Sequence, residues 1–378
     1  MKIALVCTEK LPVPPVSGGA IQIYIEGILP FLSKHHEITV YSLKSDRLPQ
    51  EETLGNVRYK RLTGRTRSEY VNNLSAEKWD EYSLIHVFNR PLWVLPISGA
   101  APGSAVSLSL HNEMFLPNKI DKDKAYKCIN RVSFITAVSR FIADGVKALY
   151  PSAGDKLQVV YSGVDANLYK PVYIKKHAFD RKALRIKYVL DKTKAVLFVG
   201  RLSKKKGPHI LLEAMKDVMD LYPNTSLMII GSKWYGGNTS DSYTHSLKSM
   251  AQQLKGPVIF TGFLPPADIP KHFSAADIFV CTSQWKEPLA RVHYEAMAAG
   301  LPIITTNRGG NAEVIEHGVN GFVIDGYNRP EALTEKIIYL LEHEDISLDI
   351  GKNARKMAEE KYSWERVANE LLALFDSV

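Results

Sequence analysis

The chain has 378 residues, 45% of them hydrophobic and 23% charged, a composition typical of a globular protein long enough for two α/β domains. Cys7, Cys128 and Cys281 are too few and too scattered for a disulfide framework or a zinc site, and we expect them to be reduced. The formal net charge of +8 favours anionic partners such as nucleotide phosphates, a polymer or a membrane surface. The sequence shows no arginine-rich arm or zinc finger, so nucleic acid is not an expected partner.

The N-terminal apolar stretch is too short for a signal peptide. No apolar run in the sequence approaches the ~20 residues that cross a bilayer. We therefore expect a cytoplasmic protein with at most peripheral contact with an anionic membrane.

Short β-branched runs alternate with longer stretches of helical periodicity, a pattern typical of βαβ units around mainly parallel sheets. Because the runs are apolar almost throughout, we expect helices to cover both faces of each sheet. The predicted strands lie near 2–7, 37–42, 56–62, 83–88, 105–110, 134–138, 157–161, 195–200, 226–231, 257–261, 277–281, 302–306 and 321–325. The fold class is thus α/β, with two Rossmann-like domains.

Strand character disappears between about 166 and 193, where the sequence is polar and basic with room for one short helix. We therefore predict a first domain over 1–168, a linker over 169–193 and a second domain over 194–361. Apolar residues recur at near-helical spacing in the last segment, 362–378, which predicts an amphipathic helix.

A basic loop follows the strand predicted to end at Gly200 and precedes a predicted helix. Arg201 and Lys206 lie at the two ends of this loop. A guanidinium and an ammonium group together suit a diphosphate, so we predict that these two residues bind one. The alternative is a solvated basic loop, which suits Lys204 and Lys205 better.

The segment EPLARVHYEAMAAGLP carries two glutamates after the strand predicted near 277–281. Pro288 is a favoured first-turn residue, so a helix is predicted to begin near it and to end at Gly300. Glu287 and Glu295 are eight positions apart (295 − 287), about 12 Å along a helix at ~1.5 Å per residue. Carboxylates so separated could hold the two hydroxyl-rich ends of an extended ligand.

These segments, with the following Arg308-Gly309-Gly310-Asn311, resemble the retaining GT-B glycosyltransferases of family four. The resemblance extends to Ser17-Gly18-Gly19, Val138-Ser139-Arg140-Phe141 and Ser162-Gly163-Val164-Asp165, and so covers essentially the whole chain. His111-Asn112-Glu113 and Phe88-Asn89-Arg90 resemble a spore-coat member of that family. The resemblance implies two domains that face a central cleft and a C-terminal helix that crosses back to the first domain.

The resemblance also implies roles for single residues. Arg201 and Lys206 would bind the diphosphate of a nucleotide-sugar donor, with the backbone amides of Arg291 and Val292. Glu295 would bind the ribose, and Glu287 the hydroxyl groups of the transferred hexose. Gly18 and Gly19 would approach the phosphate, Gly262 and Phe263 would line the base, and His111 would face the reacting sugar. Transfer to a carbohydrate or other hydroxyl acceptor would proceed with retention and without a metal or cofactor, in cell-envelope or spore-coat glycan synthesis.

One segment departs from the family pattern. After Glu287-Pro288 the family usually has an aromatic residue, a glycine and an aliphatic residue, where this chain has Leu289-Ala290-Arg291. Arg291 is either an additional cation beside the phosphate or a residue that faces outward. The departure keeps open a second interpretation, a catalytically weakened protein that serves as a structural spore-coat component. A dinucleotide oxidoreductase is disfavoured because the glycine fingerprint is incomplete.

Overall fold

A computed structural model gives the structure of residues 1–64, 66–174, 176, 178–233, 237 and 240–378. These residues form two compact units, Met1–Gly163 with Trp364–Val378, and Val164–Ser363. The strands are β1 (Lys2–Val6), β2 (Glu37–Leu43), β3 (Glu51–Leu54), β4 (Val57–Leu62), β5 (Leu84–Phe88), β6 (Ala105–Leu110), β7 (Ile135–Ala137), β8 (Leu157–Val159), β9 (Lys194–Val199), β10 (Thr225–Ile230), β11 (Val258–Gly262), β12 (Ile278–Cys281), β13 (Ile303–Thr306) and β14 (Gly321–Ile324).

Helices alternate with these strands, as the hydrophobic periodicity predicted. They are α1 (Ala20–Leu32), α2 (Arg67–Ser75), α3 (Pro91–Ala100), α4 (Lys122–Arg131), α5 (Arg140–Leu149), α6 (Ala178–Lys187), α7 (Pro208–Leu221), α8 (Ser242–Ala251), α9 (Ile269–Phe273), α10 (Val292–Ala298), α11 (Pro330–Glu342), α12 (Glu344–Lys361) and α13 (Trp364–Phe375).

The first unit has an eight-stranded sheet in the order β3-β4-β2-β1-β5-β6-β7-β8. Among the described strand pairs of this sheet, all are parallel except β3 with β4. The sequence missed β3 because its residues, EETL, lack an apolar face. Their side chains are largely exposed at the sheet edge, where a strand needs no apolar cover.

Successive residues of β1 point to opposite faces of the sheet and enter different cores. Ala4 and Val6 belong to one cluster of buried apolar residues, whereas Ile3 and Leu5 belong to a second cluster on the other face. This is the period-2 geometry of a strand, with both faces covered.

The C-terminal helix α13 completes the second of these clusters. Val367, Leu371 and Phe375 are fully buried and belong to the same cluster as Tyr24 and Ile28 of α1. At the crossing, a Cβ on Gly27 would lie 2.3 Å from the Trp364 ring, so only glycine allows this approach. The return of the last helix to the first unit, which the family resemblance implied, is therefore confirmed.

The second unit has a six-stranded sheet in the order β11-β10-β9-β12-β13-β14, and its described pairs are parallel. The linker predicted over 169–193 is instead part of this unit, although Lys175 and His177 lie outside the described residues. Within it, α6 is fixed by Arg181 and Arg185, which form ion pairs with Asp277. The polar composition that suggested a linker thus reflects attachment through charged side chains rather than apolar ones.

Two further sequence expectations can be compared with the structure. The three cysteines are buried and free. Among the described residues, no helix combines the length and apolarity needed to cross a membrane.

Candidate functional site

The loops after β9, β10 and β11 are joined at the carboxyl ends of these strands. The Leu202 amide donates to the Ser232 carbonyl at 3.0 Å, and the Gly231 amide donates to the Gly262 carbonyl at 3.1 Å. In the sequence, Arg201 directly precedes Leu202, and Phe263 directly follows Gly262. The carboxyl end of an open parallel sheet is where α/β proteins bind ligands.

Lys206 and Glu287 form an ion pair at the same sheet edge. The Lys206 Nζ lies 2.6 Å from the Glu287 Oε2, and the Lys206 side chain is 19% exposed. Ser283 Oγ and Trp285 Nε1 donate to the same carboxylate oxygen at 3.0 and 2.7 Å. Two of the predicted site residues, 81 positions apart, are therefore in direct contact.

The Glu287 carboxylate is kept ionised although it is only 7% exposed. Burial raises the pKa of Glu287, but the Lys206 charge and the hydrogen bonds from Lys206, Trp285 and Ser283 outweigh that effect and lower it. A buried carboxylate with this set of donors is a preorganised acceptor rather than a proton donor.

The backbone of two glycines and the side chain of an asparagine fix the backbone around Glu287. Gly309 has φ 62°, and a Cβ there would lie 2.0 Å from the Glu287 carbonyl oxygen. The Gly310 amide donates to that oxygen at 2.8 Å, and the Ala290 amide donates to Asn311 Oδ1 at 3.1 Å. The segment that follows β13 therefore holds the segment that follows β12.

These contacts explain why the predicted helix start was wrong. Helix α10 begins at Val292, not near Pro288, because the backbone from Glu287 to Ala290 bonds to the 309–311 segment instead of turning as a helix. Glu287 is thus outside the helix, and its spacing from Glu295 along a helix axis does not apply. The predicted end is confirmed: Gly300 has φ 67° and donates its amide to the Met297 carbonyl at 2.9 Å.

Glu295 lies on α10, is only 8% exposed and faces Arg291 one turn earlier. The Arg291 Nη2 lies 3.6 Å from the Glu295 Oε1, and both side chains are nearly buried, at 12% and 11% exposed. Arg291 therefore pairs with Glu295 and does not face outward. Burial raises the pKa of Glu295, and the Arg291 charge offsets only part of the rise because the pair is long.

The two glutamates are expected to affect stability with opposite dependence on pH. Glu287, with a lowered pKa, stabilises the fold above its unfolded pKa of about 4.3, and this contribution is lost as the pH falls. Glu295, with a raised pKa, costs stability as the pH rises above about 4.3. Urea unfolding across pH should show Glu287→Gln less stable and Glu295→Gln more stable than the parent at pH 7. Both differences should shrink towards pH 3; parallel profiles would contradict this assignment.

In the first unit, His111 directly follows β6 and is held by the residue that follows β5 and by a residue of β6. The His111 backbone amide donates to Asn89 Oδ1 at 3.1 Å, and its ring Nε2 lies 3.1 Å from Ser109 Oγ. The Tyr24 ring meets the imidazole edge-on, with 4.9 Å between centroids. The predicted position of His111 at a strand end is thus accompanied by a fixed ring orientation.

Asn89 has φ 54°, the left-handed conformation, and is only 4% exposed. Its amide donates to the Ser109 carbonyl at 2.7 Å, so both its backbone and its side chain bond to the strand that carries His111. The next residue, Arg90, forms a two-point ion pair with Glu9 at 2.8 and 2.9 Å. Burial raises the pKa of Glu9, but the hydrogen bond and charge of Arg90 outweigh it and lower it.

Replacing Asn89 by glycine or alanine is expected to separate backbone strain from the contact to His111. Both variants remove the acceptor of the His111 amide. Alanine should in addition lower the free energy of unfolding by about 1 kcal/mol relative to glycine, because a Cβ disfavours positive φ. Urea denaturation measures the difference, and equal stability of the two variants would show that the conformation at position 89 is unstrained.

Gly18 and Gly19 precede α1, where the chain turns into the helix with φ 87° and 105°. A Cβ on Gly19 would lie 2.2 Å from Gln22 Oε1. The Gln22 amide group in turn donates to the Leu11 carbonyl at 3.2 Å. The positive φ and the close Gln22 side chain together favour glycine at position 19.

The comparisons with known proteins agree across the whole chain. Residues 19–168 match the glycosyltransferase family 4 domain, and residues 180–357 match the domain described as glycosyl transferases group 1. Spore coat protein SA of Bacillus subtilis is 45% identical over 377 residues, which cover 100% of this chain and 99% of that protein. The chain belongs to the family 4 glycosyltransferases. The resemblance to spore coat protein SA seen in the sequence is thereby confirmed.

A more distant relative of this family 4 glycosyltransferase and a solved structure of similar fold name different nucleotides. A GDP-mannose-dependent phosphatidylinositol monomannoside mannosyltransferase of Mycolicibacterium smegmatis is 27% identical, with 93% of each chain covered. The crystal structure of Anabaena Alr3699/HepE in complex with UDP and glucose superposes with a TM-score of 0.80 at 23% identity, over 100% of both chains. This likeness establishes the GT-B fold of two parallel-sheet α/β domains.

The structure brings some predicted site residues of the glycosyltransferase together within its second unit. Lys206 contacts Glu287, and Arg291 contacts Glu295. The binding and catalytic roles of all the predicted site residues stay predictions, and for Arg201, Val292, Gly262 and Phe263 so does their contact with the other site residues. Sequence reasoning missed Ser283, Trp285 and the Asn311 side chain as supports of the Glu287 segment. No local signal could reveal them, because each acts through a contact formed by folding.

Metal binding was not expected from the sequence. Among the residues described, no three His, Cys, Asp or Glu side chains gather as possible metal ligands. That transfer requires no metal stays a prediction.

Proposed function

We propose that this family 4 glycosyltransferase transfers a hexosyl unit from a UDP-sugar to a hydroxyl acceptor, with retention of anomeric configuration. The observation that carries the proposal is the Lys206–Glu287 ion pair at the carboxyl ends of the strands. It places a cation and an ionised acceptor side by side, as a sugar diphosphate requires. The choice of UDP is supported by the UDP and glucose bound in the structurally similar Anabaena protein.

Lys206 has the role of diphosphate ligand in this proposal. The Lys206 side chain is partly exposed, whereas Glu287 is also held by Ser283 and Trp285. The ammonium can therefore turn to a phosphate while the carboxylate keeps two donors. Among the described residues, the hydrogen bonds to the Glu287 side-chain carboxylate all go to Oε2, which supports Oε1 as the acceptor for a hydroxyl of the transferred sugar.

The remaining donor contacts follow the family resemblance. Glu295 binds ribose hydroxyls, and the long Arg291–Glu295 pair supports this because it leaves the carboxylate only partly compensated. Arg201 adds a second cation for the diphosphate. The amides of Arg291 and Val292 contribute at the phosphate, and Gly262 and Phe263 line the base.

Chemistry at the anomeric carbon is proposed to proceed on one face of the sugar. Positive charge develops on the sugar and negative charge on the leaving phosphate, which Lys206 and Arg201 stabilise. The leaving phosphate takes the proton of the acceptor hydroxyl, so that no metal is required. In the first unit, His111 orients the reacting sugar, with Gly18 and Gly19 at the phosphate. Its contacts to Asn89 and Ser109 support a positioned ring.

The 45% identity to spore coat protein SA supports a role in cell-envelope or spore-coat glycan synthesis, with the protein made in the cytoplasm and incorporated in the coat. The same relative supports one alternative, a structural coat component with weakened activity. Measured turnover of donor distinguishes the two functions.

Thermal unfolding with UDP, GDP and ADP, and then with their sugars, tests the proposal. A ligand at 100 times its Kd adds about 2.7 kcal/mol to stability, so the cognate nucleotide should give the largest rise in Tm. Incubation of the cognate sugar nucleotide with hydroxyl acceptors should then yield product of the donor's anomeric configuration by NMR. Binding without transfer or hydrolysis would favour the structural coat role, and no stabilisation by any nucleotide would refute the proposal.

A further inference from the structure

Helix α6 is attached to the second unit by its charged side. Arg181 donates to the Ala276 carbonyl at 2.7 Å and contacts Asp277 at 2.6 Å, and Arg185 donates to the Ala275 carbonyl at 2.6 Å. Arg185 is 9% exposed. An amphipathic helix of a globular protein normally buries its apolar side, so this orientation is reversed.

Three large apolar residues of the same helix and its C-terminal turn point to solvent, whereas Leu184 is half-buried and Leu190 is buried. Phe179 is 82% exposed, Ile186 55% and Val189 72%. Phe179 and Ile186 are seven positions apart and so lie on one helix face, two turns from each other. Packing within the described unit does not account for these side chains.

Val189 is held in an unfavourable conformation at the end of α6. Its φ is 56°, and the Leu190 amide donates to the Arg185 carbonyl at 2.7 Å, the pattern of a helix end that usually has glycine at this position. A β-branched residue at positive φ is strained. Val189 is both strained and exposed, so its side chain does not stabilise the folded unit. We infer that this side chain contacts a partner outside the unit.

From residue 176 to 192 the sequence around the exposed apolar residues has four lysines and two acidic residues, Asp180 and the exposed Asp191. Lys176, Lys182, Lys187 and Lys192 are all exposed, and the whole chain has a formal net charge of +8. Asp180, the acidic residue on α6, is paired with Lys170. If a second copy of this chain docked through the same face, its lysines would lie against the lysines of the first copy, and the like charges would repel each other. Three apolar side chains are also too few for a stable protein interface of about 1,200 Å² or more.

We propose that the outer face of α6, formed by Phe179, Ile186 and Val189 with Lys182 and Lys187, docks the protein on an anionic lipid surface. Apolar side chains that enter the headgroup region beside basic ones are the pattern of an interfacial helix. A fluid lipid surface requires no matching shape, so a small patch is sufficient. The ion pairs of Arg181 and Arg185 hold the helix so that this face stays outward.

Sedimentation of the full chain with vesicles tests the proposal. Binding is expected to vesicles that contain phosphatidylglycerol, to fall with added salt, and to be absent with phosphatidylcholine alone. Phe179→Ser should weaken binding at least about tenfold. Lys182→Gln and Lys187→Gln should each weaken it about fivefold. Leu221→Ser and Lys216→Gln, which change exposed residues of α7, are matched controls that should bind like the parent.

Val189→Gly separates docking from folding. It relieves the positive-φ strain, so it should keep or raise Tm while it weakens vesicle binding. The proposal would be overturned if the parent chain does not bind vesicles that contain phosphatidylglycerol. It would also be overturned if the Phe179 and Val189 variants bind these vesicles as well as the parent does. Self-association that Phe179→Ser abolishes in the absence of vesicle binding would overturn it too, because the occupant would then be a second copy. None of these readouts depends on donor binding.

Discussion

Replacing Lys206 by alanine is expected to lower turnover of the donor sugar by about two to three orders of magnitude, the effect of removing one preorganised charge from a developing phosphate. The variant also leaves the Glu287 carboxylate without its cation in a site that is 7% exposed. Loss of that partner should lower the free energy of unfolding by about 1–3 kcal/mol. Steady-state kinetics and urea unfolding measure the two effects separately.

A double variant distinguishes the catalytic loss from the structural one. Lys206→Met with Glu287→Gln removes both charges and keeps the side-chain volumes, so stability should return towards that of the parent. Turnover should stay low, because the phosphate still lacks its cation. Lys204→Ala, in the same loop and exposed, is the control. Turnover of Lys206→Ala within a few-fold of the parent would rule out the phosphate role of this lysine.

Glu295→Gln is expected to lower kcat/KM for the donor by about 10- to 100-fold while the protein becomes no less stable. Hydrogen bonds to a charged acceptor contribute about 1.5–3 kcal/mol, and the amide keeps the size of the side chain but not the charge. Since burial raises the pKa of Glu295, its ionised form is costly to the fold, and removing the charge should not harm folding.

The ribose assignment makes the Glu295→Gln result more specific. Removal of the 2′-hydroxyl from the donor should lower kcat/KM of the parent enzyme but should have little further effect on kcat/KM of the variant. Glu213→Gln, an exposed residue of α7, controls for general charge effects. If the deoxy donor lowers kcat/KM of Glu295→Gln by as much as it lowers kcat/KM of the parent and of Glu213→Gln, Glu295 does not bind that hydroxyl.

Apolar patterning was enough to predict most strands of both sheets, because strands that are buried on both faces consist almost entirely of apolar residues. It failed at β3, whose four residues pair with β4 at an exposed edge and need no apolar side. The short helix expected between about 166 and 193 is present as α6, but the pattern failed to assign it to the second unit, because two arginines replace the apolar contacts that usually reveal a packed helix.

For the site, motifs identified Lys206, Glu287 and Glu295 individually, but not how they pair. The Lys206–Glu287 contact joins loops of two different strands, and the course of the backbone after Glu287 depends on Gly309 and Asn311. Pro288 suggested a helix start by local preference alone. Bonds to a segment about 20 residues later in the sequence overrode that preference.

The position of α13 has a consequence for how the protein is made. The first unit's sheet is synthesised early, yet one of its two cores includes Val367, Leu371 and Phe375, which leave the ribosome only after the whole second unit. Until then the apolar face of α1 around Tyr24 and Ile28 lacks its cover. The nascent first unit therefore stays incomplete while the whole second unit is synthesised, an interval in which its uncovered apolar face is available to chaperones.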